Sequence, residues 1–157
     1  MRQLMDIAED ARRVKHAVAA LGTNDKNRGL LAIADALIAH ADEIIAANRI
    51  DIENGRANGL NDGLIDRLTL DEKRIAGIAE GCRQVAALPD PIGEVLWMRK
   101  TPNGLNIGQK RVPMGVIGII YEARPNVTVD AAALCFKAGS ACILRGGKEA
   151  FHSSMCL

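Results

Sequence analysis

An α/β fold is predicted by three features of the chain. Amphipathic helical patterns dominate the sequence as far as Leu88, Pro89 and Pro91 then change the period, and two short apolar strand patterns near the end flank a helical one. Strand, helix and strand within about 30 residues are the pattern of a βαβ unit. The expected organisation is a helical part over 1–92, a β-hairpin over 93–112 and a βαβ unit over 113–157.

Leu4, Ile7, Ala11, Val14, Val18 and Leu21 recur at steps of three and four, which predicts an amphipathic helix ending at Gly22. Thr23 is placed to cap a second helix, whose apolar set Leu30, Ile33, Leu37, Ile38, Ala41, Ile44 and Ile45 runs to Asn48. Residues 51–66 contain Gly55, Gly59 and Gly63 and are expected as loops and short helical turns. The spacing Thr69-Leu-Asp-Glu72 is that of a capping box and predicts a third long helix carrying Ile75, Ile78, Cys82 and Val85 on its buried stripe. Segments 94–100 and 105–112 read as strands joined at Thr101-Pro-Asn-Gly104, whose Asn-Gly pair favours a tight turn. Val116-Ile-Gly-Ile-Ile-Tyr121 is apolar on both faces, as a strand covered on both sides requires. A helix over about 126–138 ends at Gly139, and Ala141-Cys-Ile-Leu-Arg145 is a second short strand closed by Gly146-Gly147.

Composition narrows the function classes. The 157 residues suffice for one domain that buries roughly 70% of its unfolded surface. Twenty Lys plus Arg oppose 19 Asp plus Glu, so the net charge of +1 points to neither nucleic acid nor an anionic membrane, and neither partner is expected. At 48% hydrophobic and 25% charged the chain is globular rather than disordered, and 3% aromatic content leaves little for base stacking. Acidic Asp6, Glu9 and Asp10 occupy a start that a secretory leader would need apolar, so a cytoplasmic location is expected. Cys82, Cys135, Cys142 and Cys156 form no CxxC pair and read as reduced, mostly interior thiols. His152 and Cys156 lie four residues apart, but two ligands do not make a metal site, and none is expected. His16 and His40 carry no partner pattern.

In an open α/β sheet, ligands bind beyond the carboxyl ends of the strands. Two segments qualify here, Tyr121-Glu-Ala-Arg-Pro-Asn126 and Arg145-Gly-Gly-Lys148. The second pairs two cations with two glycines that permit close backbone approach, a combination suited to nucleotide phosphate or ribose.

The run Arg111-Val-Pro-Met-Gly-Val-Ile-Gly-Ile-Ile-Tyr-Glu-Ala-Arg-Pro-Asn-Val-Thr-Val-Asp-Ala-Ala-Ala-Leu134, followed by Ile143-Leu-Arg-Gly-Gly-Lys-Glu-Ala150, resembles the gamma-glutamyl phosphate reductase family. These are the glutamate-5-semialdehyde dehydrogenases of proline biosynthesis, within the aldehyde dehydrogenase superfamily. The likeness extends to Ala47-Asn-Arg-Ile-Asp51, Leu64-Ile-Asp-Arg-Leu-Thr-Leu-Asp-Glu-Lys-Arg-Ile75 and Val85-Ala-Ala-Leu-Pro-Asp-Pro91. It implies an aldehyde dehydrogenase-like fold: N-terminal helices, a bridging hairpin and the first βαβ of an incomplete Rossmann-like nucleotide-binding domain.

The same resemblance implies NADPH-dependent reduction of gamma-glutamyl phosphate to glutamate 5-semialdehyde. A family cysteine attacks the acyl phosphate, and the resulting thioester is reduced by hydride. No segment here matches the one that carries this nucleophile, so no catalytic cysteine is expected among the 157 residues and the chain alone is expected to be inactive. Ile120, Tyr121, Arg145, Gly146, Gly147 and Lys148 are the expected cofactor-binding residues. Relatives that prefer NAD often have Glu where Lys148 stands; the lysine favours the 2′-phosphate of NADP by about 1.5 to 3 kcal/mol. Arg124 is a candidate for the substrate's acyl phosphate or α-carboxylate, or for a structural ion pair with Glu122 or another carboxylate. The superfamily's oxyanion-hole Asn aligns with Ala123, which leaves Asn126 either to donate to the developing oxyanion or to cap its helix. The resemblance implies a homo-oligomer at full length and makes Leu96, Met98 and Ile107 of the hairpin candidates either for burial by a second subunit or for packing within the chain. The alternative to the reductase reading is a nonenzymatic fragment or a residual dinucleotide-binding or oligomerisation module.

Overall fold

A computed structural model describes residues 3–157 of the chain. Met1 and Arg2, with which the stretch read for a leader begins, lie outside the described residues. In order the elements are α1 (Leu4–Ala19), α2 (Thr23–Ala39), α3 (Ala41–Ala57), α4 (Asp62–Leu68), α5 (Glu72–Ala87), β1 (Val95–Lys100), β2 (Asn106–Lys110), β3 (Val116–Ile120), α6 (Asn126–Lys137), β4 (Ala141–Arg145) and, after a 3₁₀ turn (Lys148–Ala150), α7 (Phe151–Cys156).

The helix expected from Thr23 to Asn48 is two helices that meet at His40. Buried Leu30, Ala34, Leu37, Ile44, Asn48, Asp51 and Gly55 keep the same three-and-four rhythm across the junction, so the pattern carries no trace of it. Asp42 and Glu43 stand in the first turn of α3, where negative charge is favourable, and Glu43 also meets the ring of His40 at 3.0 Å. Thr23 is the first helical residue rather than the cap; its hydroxyl donates to Asp90 at 2.9 Å. The stretch 51–66 begins inside α3, which runs through Gly55 to Ala57, so only its second part, with the short α4, matches the expected turns and loops. That glycine admits Leu60 and Ile65, whose methyl carbons lie 2.9 and 3.1 Å from where its Cβ would stand. The capping box read at Thr69 is displaced by two residues. Asp71 caps α5 by accepting from the Arg74 amide at 2.7 Å, while the Thr69 hydroxyl closes α4 on the Ile65 carbonyl at 2.7 Å.

α2, α5 and α6 enclose the core with Leu30, Leu37, Ile75, Ile78, Cys82 and Val129 among its members. Gly29 lets α6 approach α2 closely, since the Phe136 ring lies 2.9 Å from where a Cβ would be. Two lysines are buried at the edge of this core. Lys26 pairs with Asp90 at 2.5 Å and donates to the Lys137 carbonyl at 3.2 Å, and Lys137 donates to Asn27 at 2.6 Å and to the Ala86 carbonyl at 2.9 Å. These bonds tie the ends of α5 and α6 to the start of α2.

β1 and β2 form an antiparallel hairpin with an irregularity between Val95 and Trp97. Every residue of both strands is exposed. β3 and β4 pair in parallel, with Val116 opposite Ala141 and Ile120 opposite Arg145, and α6 connects them as expected of a βαβ unit. Gly139, at φ 66°, supplies the left-handed residue after α6. The expectation that β3 is covered on both sides needs correction. α1 and α6 pack against the pair, yet Val116 and Ile117 are only half-buried and Ile120 is 87% exposed. α1 itself buries only Ala11 and leaves Leu4, Ile7 and Val14 of its apolar stripe in the open.

Candidate functional site

The carboxyl ends of β3 and β4 lie side by side, and the segments that leave them touch. The Tyr121 amide donates to the Arg145 carbonyl at 3.0 Å, which extends the ladder by one residue. The Tyr121 ring lies 3.1 Å from where a Cβ of Gly146 would stand, and the Ala123 amide nitrogen 2.9 Å from that of Gly147. The two glycines therefore serve first to let the two segments pack on one another. The Tyr121 hydroxyl is paired with Thr128 at 2.7 Å, so the ring is fixed at both ends.

Arg145 and Lys148 are both exposed, and neither forms an ion pair among the described residues. Arg145 ends β4 and Lys148 follows three residues later, so two cations without an ion pair among the described residues stand at the carboxyl end of the parallel strands, with the bare Ile120 side chain beside Arg145. The residues present thus fit a dinucleotide.

Arg124 and Asn126 come together elsewhere, in a cavity of about 440 Å³ between α4, α5 and the start of α6. Arg124 meets Glu122 through Nε at 3.6 Å, while Asn126 does not cap α6; its amide donates to Asp130 at 3.0 Å. Arg74 lines the same cavity, but its guanidinium is occupied by the Asp66 and Thr69 carbonyls and by the Asp66 carboxylate at 2.6 Å. Lys148 opens onto a different cavity of about 520 Å³, together with Asn54, Asn58, Glu149 and His152. The expected site residues therefore fall into two groups.

One polar cluster escaped the sequence reading. Asp51 is buried and accepts from the Ser153 amide at 2.7 Å, the Ser153 hydroxyl at 2.6 Å, the His152 amide at 3.1 Å and the His152 ring at 2.8 Å. Asn48, one turn earlier, donates to the Leu68 carbonyl at 2.8 Å and to Ser153 Oγ at 2.9 Å, and accepts from the Leu70 amide at 2.7 Å. The available signal was Asn48 and Asp51, two polar residues in step with the apolar stripe of α3. They moor α7, and with it the turn that carries Lys148.

The thiols behave as interior groups. Burial raises the Cys82 pKa, with the Asp130 charge adding to it, and burial likewise raises those of Cys135 and Cys142. Each is held as the unreactive thiol. Cys156 is exposed, and its neighbour His152 is engaged by Asp51. No cluster of three metal-ligating side chains exists among the described residues, and no described helix is long and apolar enough to cross a membrane.

No protein-family model matches the chain. Curated sequences do. Over all 157 residues it is 56% identical to the gamma-glutamyl phosphate reductase of Carboxydothermus hydrogenoformans, and over 155 residues 56% identical to that of Halothermothrix orenii. The chain is homologous to the gamma-glutamyl phosphate reductases. It spans 38% and 37% of the length of those two relatives. The solved structure of gamma-glutamyl phosphate reductase from Thermotoga maritima superimposes with a TM-score of 0.95 at 41% identity, covering 99% of this chain and 37% of that one. The Saccharomyces cerevisiae reductase gives 0.88 at 35% identity, covering 98% of this chain and 39% of its own. A probable aldehyde dehydrogenase from Listeria monocytogenes, 15% identical with a TM-score of 0.67, covers 96% of this chain and 30% of its own and shares the fold.

Proposed function

We propose that this chain is the N-terminal part of an NADPH-dependent reductase that converts gamma-glutamyl phosphate to glutamate 5-semialdehyde in proline biosynthesis. The observation that carries the reading is 56% identity along the whole chain to a gamma-glutamyl phosphate reductase. In this reading 1–92 is the helical part of the nucleotide-binding domain, 93–112 a bridging and oligomerising hairpin, and 113–157 the opening βαβ. The nucleophilic cysteine lies in the part of the relatives' length that this chain does not span, consistent with the buried thiols at Cys82 and Cys135. Surfaces left bare here, such as Ile120 and the hairpin, are covered by the remainder of the enzyme and by a second subunit.

Each residue group has its own task. Lys148 meets the cofactor's 2′-phosphate and Arg145 its adenosine ribose, and Tyr121 with the two glycines fixes the floor beneath it. When bound, NADPH supplies the hydride for reduction of the acyl group. Arg124 grips one oxyanion of the substrate by paired N–H donors. Asn126 stands at the start of α6, where releasing Asp130 would free its amide to donate to the developing oxyanion. Asp130 therefore holds that amide in reserve.

The test is made on the complete protein that carries this sequence. Gamma-glutamyl phosphate should drive oxidation of NADPH faster than that of NADH, with release of one phosphate per cofactor. Absence of substrate-dependent oxidation overturns the reading.

A further inference from the structure

We propose that Arg67 is a second oxyanion-binding guanidinium of the substrate site, acting beside Arg124; the inference rests on the reductase reading and deepens it. In the last turn of α4, Ile65 and Leu68 are buried in the interior and Arg67 is turned outward. Its side chain lines the 440 Å³ cavity together with Arg124 and Asn126. It also lines an adjoining cavity of about 200 Å³, again with Arg124, and there with Glu122 and Ala123. Arg67 and Arg124 thus wall the same two cavities, although α4 and the segment after β3 are far apart in sequence.

Of the carboxylates around them, Asp66 and Asp130 are engaged elsewhere, by Arg74 and by the Asn126 amide, and Glu122 pairs with Arg124 itself through Nε. Glu149 borders the smaller cavity, but Arg67 makes no ion pair among the described residues. Arg74 is the instructive contrast: it lines the larger cavity as well, and its donors are tied to the Asp66 and Thr69 carbonyls and to the Asp66 carboxylate. Its role is structural, whereas Arg67 retains its forked donors for a ligand.

Two guanidinium groups around one cavity match a substrate with two anionic ends. An amino acid activated as its side-chain acyl phosphate carries an α-carboxylate at one end and a phosphate at the other. A single arginine satisfies one of these in bidentate fashion, and the second end needs a second planar donor.

The experiment compares wild type, Arg67→Gln and Arg67→Lys in the complete protein. Arg67 is exposed and unpaired, so both variants should melt with the wild type. In Arg67→Gln the KM for gamma-glutamyl phosphate should rise at least tenfold with kcat within threefold, and Arg67→Lys should fall between. Calorimetric binding of inorganic phosphate and of L-glutamate supplies a readout independent of turnover, and at least one should weaken tenfold in Arg67→Gln. Weakened phosphate binding assigns Arg67 to the acyl phosphate, and weakened glutamate binding assigns it to the α-carboxylate. An Arg67→Gln protein with unchanged KM and unchanged affinity for both probes overturns the inference while a working wild type leaves the reductase reading intact. A wild type that does not turn over but binds either probe through Arg67 has the opposite meaning: the anion site stands and the reductase reading fails.

Discussion

The helical core and the β1–β2 hairpin are both rich in large apolar residues, yet they use them in opposite ways. Ile75 is wholly buried between helices, while Met98 is 67% exposed and Trp97, at 44%, caps its own ribbon by donating to Gln109 at 2.8 Å. The hairpin is held by its ladder, by Gly93 and Arg111 amide bonds at its base and by an Arg111 to Glu94 ion pair at 3.2 Å. An isolated ribbon of this kind has little stability of its own. The difference teaches that an apolar pattern identifies a surface to be covered, and that the chain supplies the cover in one region and not in the other.

Substitutions separate the two regions, with the largest effect at the buried charges. Asp90→Ala leaves Lys26 buried beside Lys137 without its carboxylate, and should cost about 3 to 5 kcal/mol in urea unfolding. The same group predicts an acid response. Burial pushes the Asp90 carboxyl up, but the Lys26 ammonium, the Ile92 amide and the Thr23 hydroxyl outweigh it and hold the pKa below its ordinary value of 3.8. A depressed carboxyl pKa stabilises the fold above the unfolded value and loses that contribution as pH falls through the folded one. Stability should therefore decline below about pH 4, and the Asp90→Ala protein should lack this part of the decline.

Ile75→Ala opens a cavity in the core and should cost about 2 to 5 kcal/mol in the same measurement. Met98→Ser in the hairpin should change unfolding by less than about 0.5 kcal/mol, because the side chain is already in water. A cost near that of Ile75→Ala would show that the ribbon is part of the core and would erase the contrast.

The regions also differ in how much the sequence disclosed. The hairpin and the βαβ unit were legible because local chemistry punctuates them: Pro89 and Pro91 stop α5, Asn103-Gly104 turns the ribbon and Gly139 closes α6. The helical half was misread where periodicity runs on without punctuation. The break at His40 leaves the apolar rhythm intact, and Gly55 looks like a loop residue although its role is to let Leu60 and Ile65 pack against α3. The candidate residues could be named from the sequence only as chemical types, and their grouping could not be read from it. Arg124 and Asn126 share a cavity with Arg67 from α4, and Lys148 shares another with His152 and Asn54 from α3. Such groupings depend on how helices cross, which no local spacing records.

Stability belongs to the closed helical core, and in the proposed reading cofactor choice belongs to the open end of the β3–β4 pair. Equilibrium binding of NADPH and NADH to the complete protein, wild type against Lys148→Glu, tests this most directly. Loss of a charge-assisted contact to the 2′-phosphate should weaken NADPH about tenfold or more while NADH binding holds or improves. An unchanged ratio of the two dissociation constants in a normally folded variant would contradict it.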